Sequence, residues 1–192
     1  PIGSRGLGDV YKRQIHSFMS DIIVQKFGGT SVGSDERISA VAQIIKNAKK
    51  DNQVIVVVSA MSGETNRLIN LAKSFGDNPD RREFDALIST GEKVSASLLA
   101  MALNSIGVKA KSFSASQISM KTTGHHSKAK IIDVDGEKIL ATLNDDIVPI
   151  ITGFQGVTES GDVTTLGRGG SDTTAVAIAA HVNATRCDIY TD

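Results

Sequence analysis

The stretch Ile22-Ile23-Val24-Gln25-Lys26-Phe27, closed by Gly28-Gly29, begins the part of the chain that decides the fold. A short run rich in β-branched residues and followed by glycines is typical of a strand that ends in a turn. Ser34 then stands where a helix N-cap is expected, and the helix is predicted to run to about residue 50. The continuous apolar run at residues 54–58 is typical of a strand buried on both faces. Strand, helix and strand in this order predict a βαβ unit and a parallel sheet.

Helices and strands continue to alternate along the chain. Further helices are predicted at residues 65–75, 81–105, 136–143 and 173–183. Further strands are predicted at residues 108–112, 147–152 and 187–190, with a short extended piece at 130–134 and a polar turn at 158–162. This alternation predicts an α/β fold, a three-layer α/β/α sandwich with a mostly parallel central sheet.

Composition limits the classes of function. The 192 residues are 40% hydrophobic and 22% charged, which is ordinary for one globular domain or a large part of one. A formal net charge of zero and 4% aromatic residues argue against nucleic acid as a partner. Neither an 18-residue apolar run nor an apolar leader is present. A membrane partner is therefore not expected, and a cytoplasmic location is predicted. The single cysteine, Cys187, is expected to be a small buried side chain in a reducing compartment.

The two ends of the sequence carry their own expectations. Residues 1–18 mix Gly, Arg, Lys and Gln without a period, and Met19 directly after them resembles a natural start. Residues 1–18 are therefore expected to be a non-native or disordered leader, and residues 19–192 the N-terminal part of a catalytic domain. The predicted strand that ends near Asp192 has nothing after it, so the sheet is expected to be incomplete.

Glycine and polar residues follow three of the predicted strands. They lie at residues 26–31, 59–63 and 153–172. One such turn is as often an ordinary loop as a site, but three at the carboxyl edge of a parallel sheet favour a ligand site. The third turn carries Arg168 among glycines and runs into an apolar helix. This combination is suited to a phosphate or a carboxylate, because backbone N–H groups and a guanidinium can converge there.

Two common nucleotide motifs do not fit these turns. Gly28 and Gly33 have the spacing of a phosphate-binding loop, but Ser34-Asp35 stands where that loop needs Lys-Ser/Thr. A dinucleotide fingerprint at Gly167 would place Asp172 where a pyrophosphate should lie, which disfavours nicotinamide chemistry.

Single residues have both an ordinary and a functional interpretation. Lys26 could extend to solvent from a strand end, but its position before two glycines favours contact with phosphate oxygens. Glu92, from its pattern alone, is more simply a charged residue on the solvated face of its helix. Gly91 beside it costs a helix about 1 kcal/mol and indicates a close approach there. His125 and His126 have no Cys or carboxylate near them at the spacing of metal ligands. They are therefore expected to lie in a solvated loop, and a metal site is not expected.

Five segments in order resemble the aspartate kinases of the amino-acid kinase family. They are Lys26-Phe27-Gly28-Gly29-Thr30-Ser31, Ser59-Ala60-Met61, Ser89-Thr90-Gly91-Glu92, Gly153-Phe154-Gln155-Gly156 and the turn at residues 166–174. The resemblance extends from about residue 22 to residue 192. It implies the amino-acid kinase fold and transfer of the ATP γ-phosphoryl group to the β-carboxylate of L-aspartate, the first step toward lysine, threonine and methionine.

The resemblance also implies roles for individual residues. Lys26 and Asp172 would be catalytic, with Asp172 orienting Lys26 and the phosphates. ATP would bind at Lys26, Phe27, Gly28, Gly29, Ser31, Ser171, Tyr190, Thr191 and Asp192. Aspartate would bind at Ser59, Thr65, Glu92, Arg168, Gly169, Gly170 and Ser171, and Ser171 would also cap its helix. Mg²⁺ would be held mainly through the nucleotide rather than by a protein metal site.

Some expectations concern what lies past residue 192. The rest of the nucleotide site and the regulatory domains are expected there, so the chain as given is expected to be poorly active. The complete protein is expected to be a homo-oligomer or to act with regulatory domains or subunits. Two alternatives stay open: a relative in the same family with a different acceptor, and a non-catalytic ligand-binding or assembly module.

Overall fold

The computed structural model describes residues 20–191, so the leader at residues 1–18 and Asp192 lie outside the described residues. The strands are β1 (Asp21–Phe27), β2 (Asn52–Val58), β3 (Ala110–Phe113), β4 (Lys121–Thr122), β5 (Ile131–Asp133), β6 (Val148–Thr152), β7 (Gln155–Val157), β8 (Val163–Thr165) and β9 (Arg186–Tyr190). The helices are α1 (Asp35–Ala48), α2 (Glu64–Lys73), α3 (Arg81–Ile88), α4 (Thr90–Ser105), α5 (Glu137–Asn144) and α6 (Gly170–His181), with a 3-10 helix at Ala115–Ile118.

The central sheet has the strand order β3-β6-β2-β1-β9, and all of its pairings are parallel. Because β6, β2 and β1 are neighbours with the same direction, the glycine-rich turns that follow them emerge at one edge of the sheet. The predicted parallel sheet is thus confirmed.

Helices cover both faces of this sheet. On one face, Ile23, Phe27 and Val56 pack with α1 and α4. On the other, Val24 and Ile55 pack with α5 and α6. Neighbouring residues of β1 and β2 therefore serve opposite cores, which explains why the strand at residues 54–58 is apolar throughout. The expected three-layer sandwich is confirmed.

Helix α1 is the element that the sequence describes best. Ser34 caps it by accepting a hydrogen bond at Oγ from the Arg37 N–H at 3.4 Å. Its core face consists of buried residues at helical spacing, Ile38, Val41, Ala42 and Ile45.

A second, four-stranded sheet was not predicted as such. Its order is β5-β4-β7-β8. The extended piece at 130–134 corresponds to β5, and the polar turn at 158–162 joins β7 to β8, where the Thr158 N–H donates to the Asp162 carbonyl at 2.9 Å. Strands of two or three residues are too short to show an alternating pattern, so β4, β7 and β8 give little signal in the sequence.

The single helix predicted at residues 81–105 is wrong in one respect, because it is broken into α3 and α4 at Ser89. The Ser89 carbonyl accepts a hydrogen bond from the buried Gln155 side-chain amide at 2.9 Å. Arg81–Ser105 is long and apolar enough to cross a membrane by length and composition, but half of its most apolar window is buried inside the fold. A core helix of a globular domain has the same property.

Two smaller expectations also change. Cys187 is half-buried rather than buried, because it lies on β9, which is at the edge of the described sheet. Helix α6 begins at Gly170, three residues earlier than predicted, and its N-cap is Gly169 with a positive φ of 71°.

Candidate active site

A cleft of about 570 Å³ lies at the carboxyl edge of the central sheet. The ends of β1 and β2, the helices α2, α3 and α4, and the turn that begins α6 all contribute to its walls. The cleft brings together most of the residues singled out in the sequence: Lys26, Ser59, Thr65, Glu92, Arg168, Gly169, Gly170, Ser171 and Asp172.

Lys26 and Asp172 form an ion pair inside this cleft, with 2.7 Å between Nζ and Oδ1. Alternation along β1 directs Lys26 to the sheet face that α6 covers, where Asp172 lies in the first turn. Lys26 is only 7% exposed, so it does not extend to solvent. The Asp172 side chain is about half exposed, so the pair faces the open part of the cleft.

Glu92 is buried, which contradicts the solvated position that its pattern predicts. It is 3% exposed, and its Oε1 accepts a hydrogen bond from the Ala60 N–H at 3.2 Å. The other oxygen, Oε2, is buried and has no hydrogen-bond partner among the described residues. Burial raises the pKa of this carboxyl from 4.5 to about 7. A cleft-lining carboxylate with one free oxygen is suited to receive a cationic group of a ligand.

Gly91 explains how Glu92 comes to be buried. A Cβ on Gly91 would lie 2.8 Å from the Ala60 side chain, so only glycine allows α4 to approach this closely. The close approach expected at this glycine is confirmed. It carries the start of α4 against the turn after β2, and Glu92 is thereby placed in the cleft wall.

The turn between β8 and α6 presents both charge and backbone to the cleft. Arg168 is exposed and lines the cleft without an ion pair in the described part of the chain. Ser171 is packed against Gly153, where a Cβ would lie 2.7 Å from the Ser171 Oγ. The expectation that Ser171 caps α6 is wrong, because Gly169 is the N-cap and no side-chain capping bond is formed.

The glycines after β1 lie beside the Lys26 ammonium. A Cβ on Gly28 would be 3.5 Å from Lys26 Nζ, and the Gly28 N–H donates to the Tyr190 carbonyl at 3.3 Å. A Cβ on Gly29 would be 2.8 Å from the Ala60 carbonyl oxygen. These glycines let the turns after β1 and β2 come into direct contact next to the ion pair.

Four other described candidates for ATP binding are not in the cleft lining, namely Phe27, Ser31, Tyr190 and Thr191. The Phe27 side chain is fully buried and stacks on the Tyr190 ring at 4.6 Å between centroids, so its ring belongs to the core. Its carbonyl already accepts from the Ser59 N–H. Ser31 lies half-buried in the turn before α1, and Thr191 is exposed after β9. Asp192 lies outside the described residues.

Sequence reasoning missed Asp85, the centre of a buried hydrogen-bond network behind the cleft. Asp85 has no exposed surface. Its Oδ2 accepts from the backbone N–H groups of Ser127 and Thr165, and its Oδ1 from their hydroxyls. The sequence does carry one indication of this burial. Asp85 stands three residues before the apolar Ile88, so both lie on the same face of α3.

Two cleft-lining residues other than glycine have a positive φ, namely Ser127 at 64° and Phe154 at 70°. Such conformations cost free energy and persist only where neighbouring contacts hold them. The Phe154 N–H donates to the Thr174 Oγ1 at 3.2 Å, and Asp85 holds Ser127. The sequence alone did not predict a positive φ at Ser127 or Phe154.

The adjacent histidines differ from each other. His125 is exposed, whereas His126 is half-buried with its Nδ1 3.0 Å from Asp85 Oδ2, so the solvated loop expected for both is wrong for His126. Within residues 20–191, no group of three His, Cys, Asp or Glu side chains is placed to hold a metal ion.

The comparison with protein families agrees with this geometry. The model of the amino acid kinase family matches residues 21–192. The chain belongs to the amino acid kinase family. Among curated members, it is 55% identical to an aspartokinase of Geobacillus stearothermophilus and 54% identical to an aspartate kinase of Pseudomonas putida. Each match covers 89% of this chain and 42% of the relative, so the chain spans about two fifths of the length of these family members.

Solved structures of this family show the same fold. Aspartokinase III of E. coli, crystallised with aspartate and ADP, matches with a TM-score of 0.82 at 27% identity, over 90% of this chain and 49% of that protein. Aspartate kinase from Synechocystis matches with a TM-score of 0.75 at 46% identity, over 88% of this chain and 28% of that protein. The predicted amino-acid kinase fold is thereby confirmed.

Proposed function

We propose that this chain is the acceptor-binding and phosphate-binding part of an aspartate kinase, which transfers the γ-phosphoryl group of ATP to the β-carboxylate of L-aspartate and forms 4-phospho-L-aspartate. The observation that carries this proposal is the cleft in which Lys26, Glu92, Arg168 and Asp172 meet. The similarity to aspartokinases over 89% of the chain supports the same substrates.

The acceptor is recognised by opposite charges. Arg168, which has no ion pair within residues 20–191, binds a carboxylate of the amino acid through its planar guanidinium. Glu92 Oε2 receives the α-ammonium, and Thr65, Ser59 and the backbone at Gly169–Gly170 complete the wall. A free ammonium is what separates an amino acid from a simple dicarboxylic acid, so the buried carboxylate confers the selectivity.

The reaction needs positioning rather than a general base. The β-carboxylate has an ordinary pKa near 3.9, so it is already ionised at neutral pH and attacks the γ-phosphorus directly. As the new P–O bond forms, the bond from the γ-phosphorus to the bridging oxygen breaks and ADP leaves with that electron pair. Lys26 neutralises charge on the transferring group, and Asp172 holds the Lys26 ammonium in place.

Nucleotide binding rests on the glycines beside Lys26. Gly28 and Gly29 let phosphate oxygens approach the backbone. The resemblance to aspartate kinases also assigns five further residues to the nucleotide, namely Ser31, Ser171, Tyr190, Thr191 and Asp192. The residues fit Mg²⁺ only as an ion carried by the nucleotide, because Asp172 is already engaged by Lys26 and the described chain offers no three-ligand cluster. When bound, Mg²⁺ supplies charge neutralisation of the β- and γ-phosphates.

The experiment that tests this function uses the chain together with its native continuation past residue 192. ADP release is measured with MgATP and, in turn, L-aspartate, L-glutamate, N-acetyl-L-glutamate and a nucleoside monophosphate. We expect release with L-aspartate and little with N-acetyl-L-glutamate, which lacks the free ammonium. Preference for another acceptor would establish a different family activity, and no turnover with any acceptor would favour a non-catalytic module.

The complete protein is proposed to work in the cytoplasm as an oligomer or with regulatory domains. The support for regulatory domains is that its relatives are more than twice as long as this match. Size measurement in solution of the complete protein, with and without lysine and threonine, tests this part.

A further inference from the structure

Asp85 is a fully buried carboxylate that connects its own helix to two other segments of the fold. It lies on α3, and its acceptor oxygens contact Ser127, in the loop before β5, and Thr165, at the end of β8. The distances from Oδ2 to the N–H groups of Ser127 and Thr165 are 2.8 and 3.0 Å. The distances from Oδ1 to their hydroxyls are 3.0 and 2.8 Å. His126 Nδ1, 3.0 Å from Oδ2, donates the fifth bond.

The partners of Asp85 are parts of the cleft wall. Ser127 and Thr165 both line the cleft, and Thr165 is three residues before Arg168. The Ser127 carbonyl oxygen also lies against Gly167, at 3.4 Å from where a Cβ would be, so the loop and the Arg168 turn are in contact. One buried carboxylate is therefore hydrogen-bonded to two neighbouring parts of the cleft wall.

Ser127 gives independent evidence that this arrangement is held under strain. Its φ of 64° is left-handed, a conformation that a serine leaves unless neighbouring contacts fix it. Asp85 supplies two such contacts, to the N–H and to the hydroxyl of the same residue. Charge-assisted hydrogen bonds that a buried carboxylate accepts are among the stronger ones that a fold can use for this purpose.

We infer that Asp85 is a positioning residue for the acceptor substrate, which acts through Ser127 and Thr165 to hold the Arg168 turn at the distance that an amino-acid dicarboxylate requires. This inference rests on the proposed function. It goes further, because Asp85 is outside the cleft lining and does not touch the substrate. It predicts that loss of Asp85 affects the acceptor and leaves the nucleotide unaffected.

The hydrogen-bond pattern predicts different results for two substitutions. In Asp85→Asn, the amide oxygen can take the place of Oδ2 and accept from both N–H groups, while its NH₂ donates to the two hydroxyls, which can act as acceptors. Asp85→Ala removes all five bonds. We therefore expect Asp85→Asn to keep most of the geometry and Asp85→Ala to lose it.

The test measures binding of L-aspartate to the protein extended past residue 192 by isothermal titration calorimetry. We expect Asp85→Ala to weaken binding by roughly tenfold or more and Asp85→Asn by about threefold or less, because misplacing binding groups by about 1 Å has large effects. Amide hydrogen exchange at Ser127 and Thr165 should accelerate in Asp85→Ala. In the protein extended past residue 192, KM for aspartate should rise while KM for ATP stays unchanged.

The control is Thr142→Ala on α5, which removes a buried hydroxyl bonded to the Lys138 carbonyl away from the cleft. It should lower stability and leave aspartate binding unchanged.

If Asp85→Ala does not fold, Thr165→Val removes one bond to Oδ1 with little change of shape and should weaken aspartate binding several-fold. Aspartate binding unchanged in a folded Asp85→Ala, or in Thr165→Val, overturns this role alone. Absence of binding by the unsubstituted protein in both assays overturns the proposed function and this role with it.

Discussion

The Lys26 ammonium lies 2.7 Å from the Asp172 carboxylate, although the two residues are 146 positions apart in the chain and belong to different layers of the fold. Lys26 is the penultimate residue of a central strand, and Asp172 lies in the first turn of the helix that covers it. A buried lysine with one fixed partner cannot sample the many positions that an exposed lysine does. The pair thus holds one ammonium group at a fixed place in the cleft, next to Gly28.

Lys26→Met should abolish most of the phosphoryl transfer of the extended protein. Methionine keeps the length of the side chain and removes the charge, so kcat should fall by roughly 10²–10³-fold, the usual effect of losing one electrostatic contact to a transition state. Steady-state ADP release measures it.

The matched control is Lys49→Met, which removes another lysine–aspartate pair, that with Asp146, outside the cleft. Asp146 is largely exposed and Lys49 partly so, and a pair of this kind contributes at most about 1 kcal/mol, so activity should not change. An unchanged rate in Lys26→Met would remove Lys26 from the mechanism.

Glu92 should make the stability of the unliganded protein depend on pH. Its folded pKa is about 7, above the ordinary 4.5, so between these values the folded state binds a proton that the unfolded state has released. The free energy of unfolding should therefore fall as pH rises from about 4.5 to about 7, by at most about 1.4 kcal/mol per pH unit, and level off above.

Denaturant unfolding at several pH values measures this effect by comparison with Glu92→Gln. Glutamine does not ionise, so this slope should be absent in the variant, while Glu159→Gln at an exposed position should behave as the unsubstituted protein does. Identical slopes in Glu92→Gln and the unsubstituted protein would contradict the raised pKa.

The same carboxyl should make aspartate binding depend on pH. An α-ammonium favours ionised Glu92, so affinity should increase between pH 5.5 and 7.5, by up to roughly tenfold per pH unit where Glu92 is protonated in the free protein. Calorimetric titration of aspartate measures this, and a pH-independent affinity would argue that the ammonium binds elsewhere.

The sequence predicted the sheet and the edge that carries the cleft because both follow from local patterns. Apolar runs such as that in β2 and caps such as Ser34 depend on a few neighbouring residues. The position of Glu92 could not be predicted in this way, since its burial is caused by contact between Gly91 and Ala60, which are distant in sequence. Asp85 escaped notice for the same reason, because its five donors come from segments about 40 and 80 residues away.

Gly29→Ala should impair the nucleotide side more than the acceptor side. The added Cβ would lie 2.8 Å from the Ala60 carbonyl oxygen, a backbone atom that cannot move aside without shifting the turn after β2. The cost in unfolding free energy should be about 1–3 kcal/mol, as for other overpacked sites. KM for ATP should rise more than KM for aspartate in the extended protein.

Gly124→Ala provides the control for Gly29→Ala. Apart from Gly124 itself and its two chain neighbours, no atom of the described residues lies within 4 Å of a Cβ at Gly124, so the substitution should be tolerated in stability and in both KM values. Equal behaviour of the two alanine variants would show that the close contact at Gly29 has no consequence.

Arg168→Lys should weaken the use of aspartate far more than the use of ATP. Lysine keeps the charge but replaces a planar fork of donors with a single ammonium, which cannot bind a carboxylate through two parallel hydrogen bonds. Arg168 has no other ion pair in the described chain to lose, so the stability of the fold should change by less than about 0.5 kcal/mol.

The expected result of Arg168→Lys is a rise of roughly tenfold in KM for aspartate, equivalent to about 1.4 kcal/mol, with KM for ATP within about twofold. Steady-state kinetics with each substrate varied in turn measures both, and Arg186→Lys, at an exposed position on β9, serves as the arginine control. Equal losses for aspartate and ATP in Arg168→Lys would place the guanidinium at the shared phosphoryl group instead of at the amino-acid carboxylate.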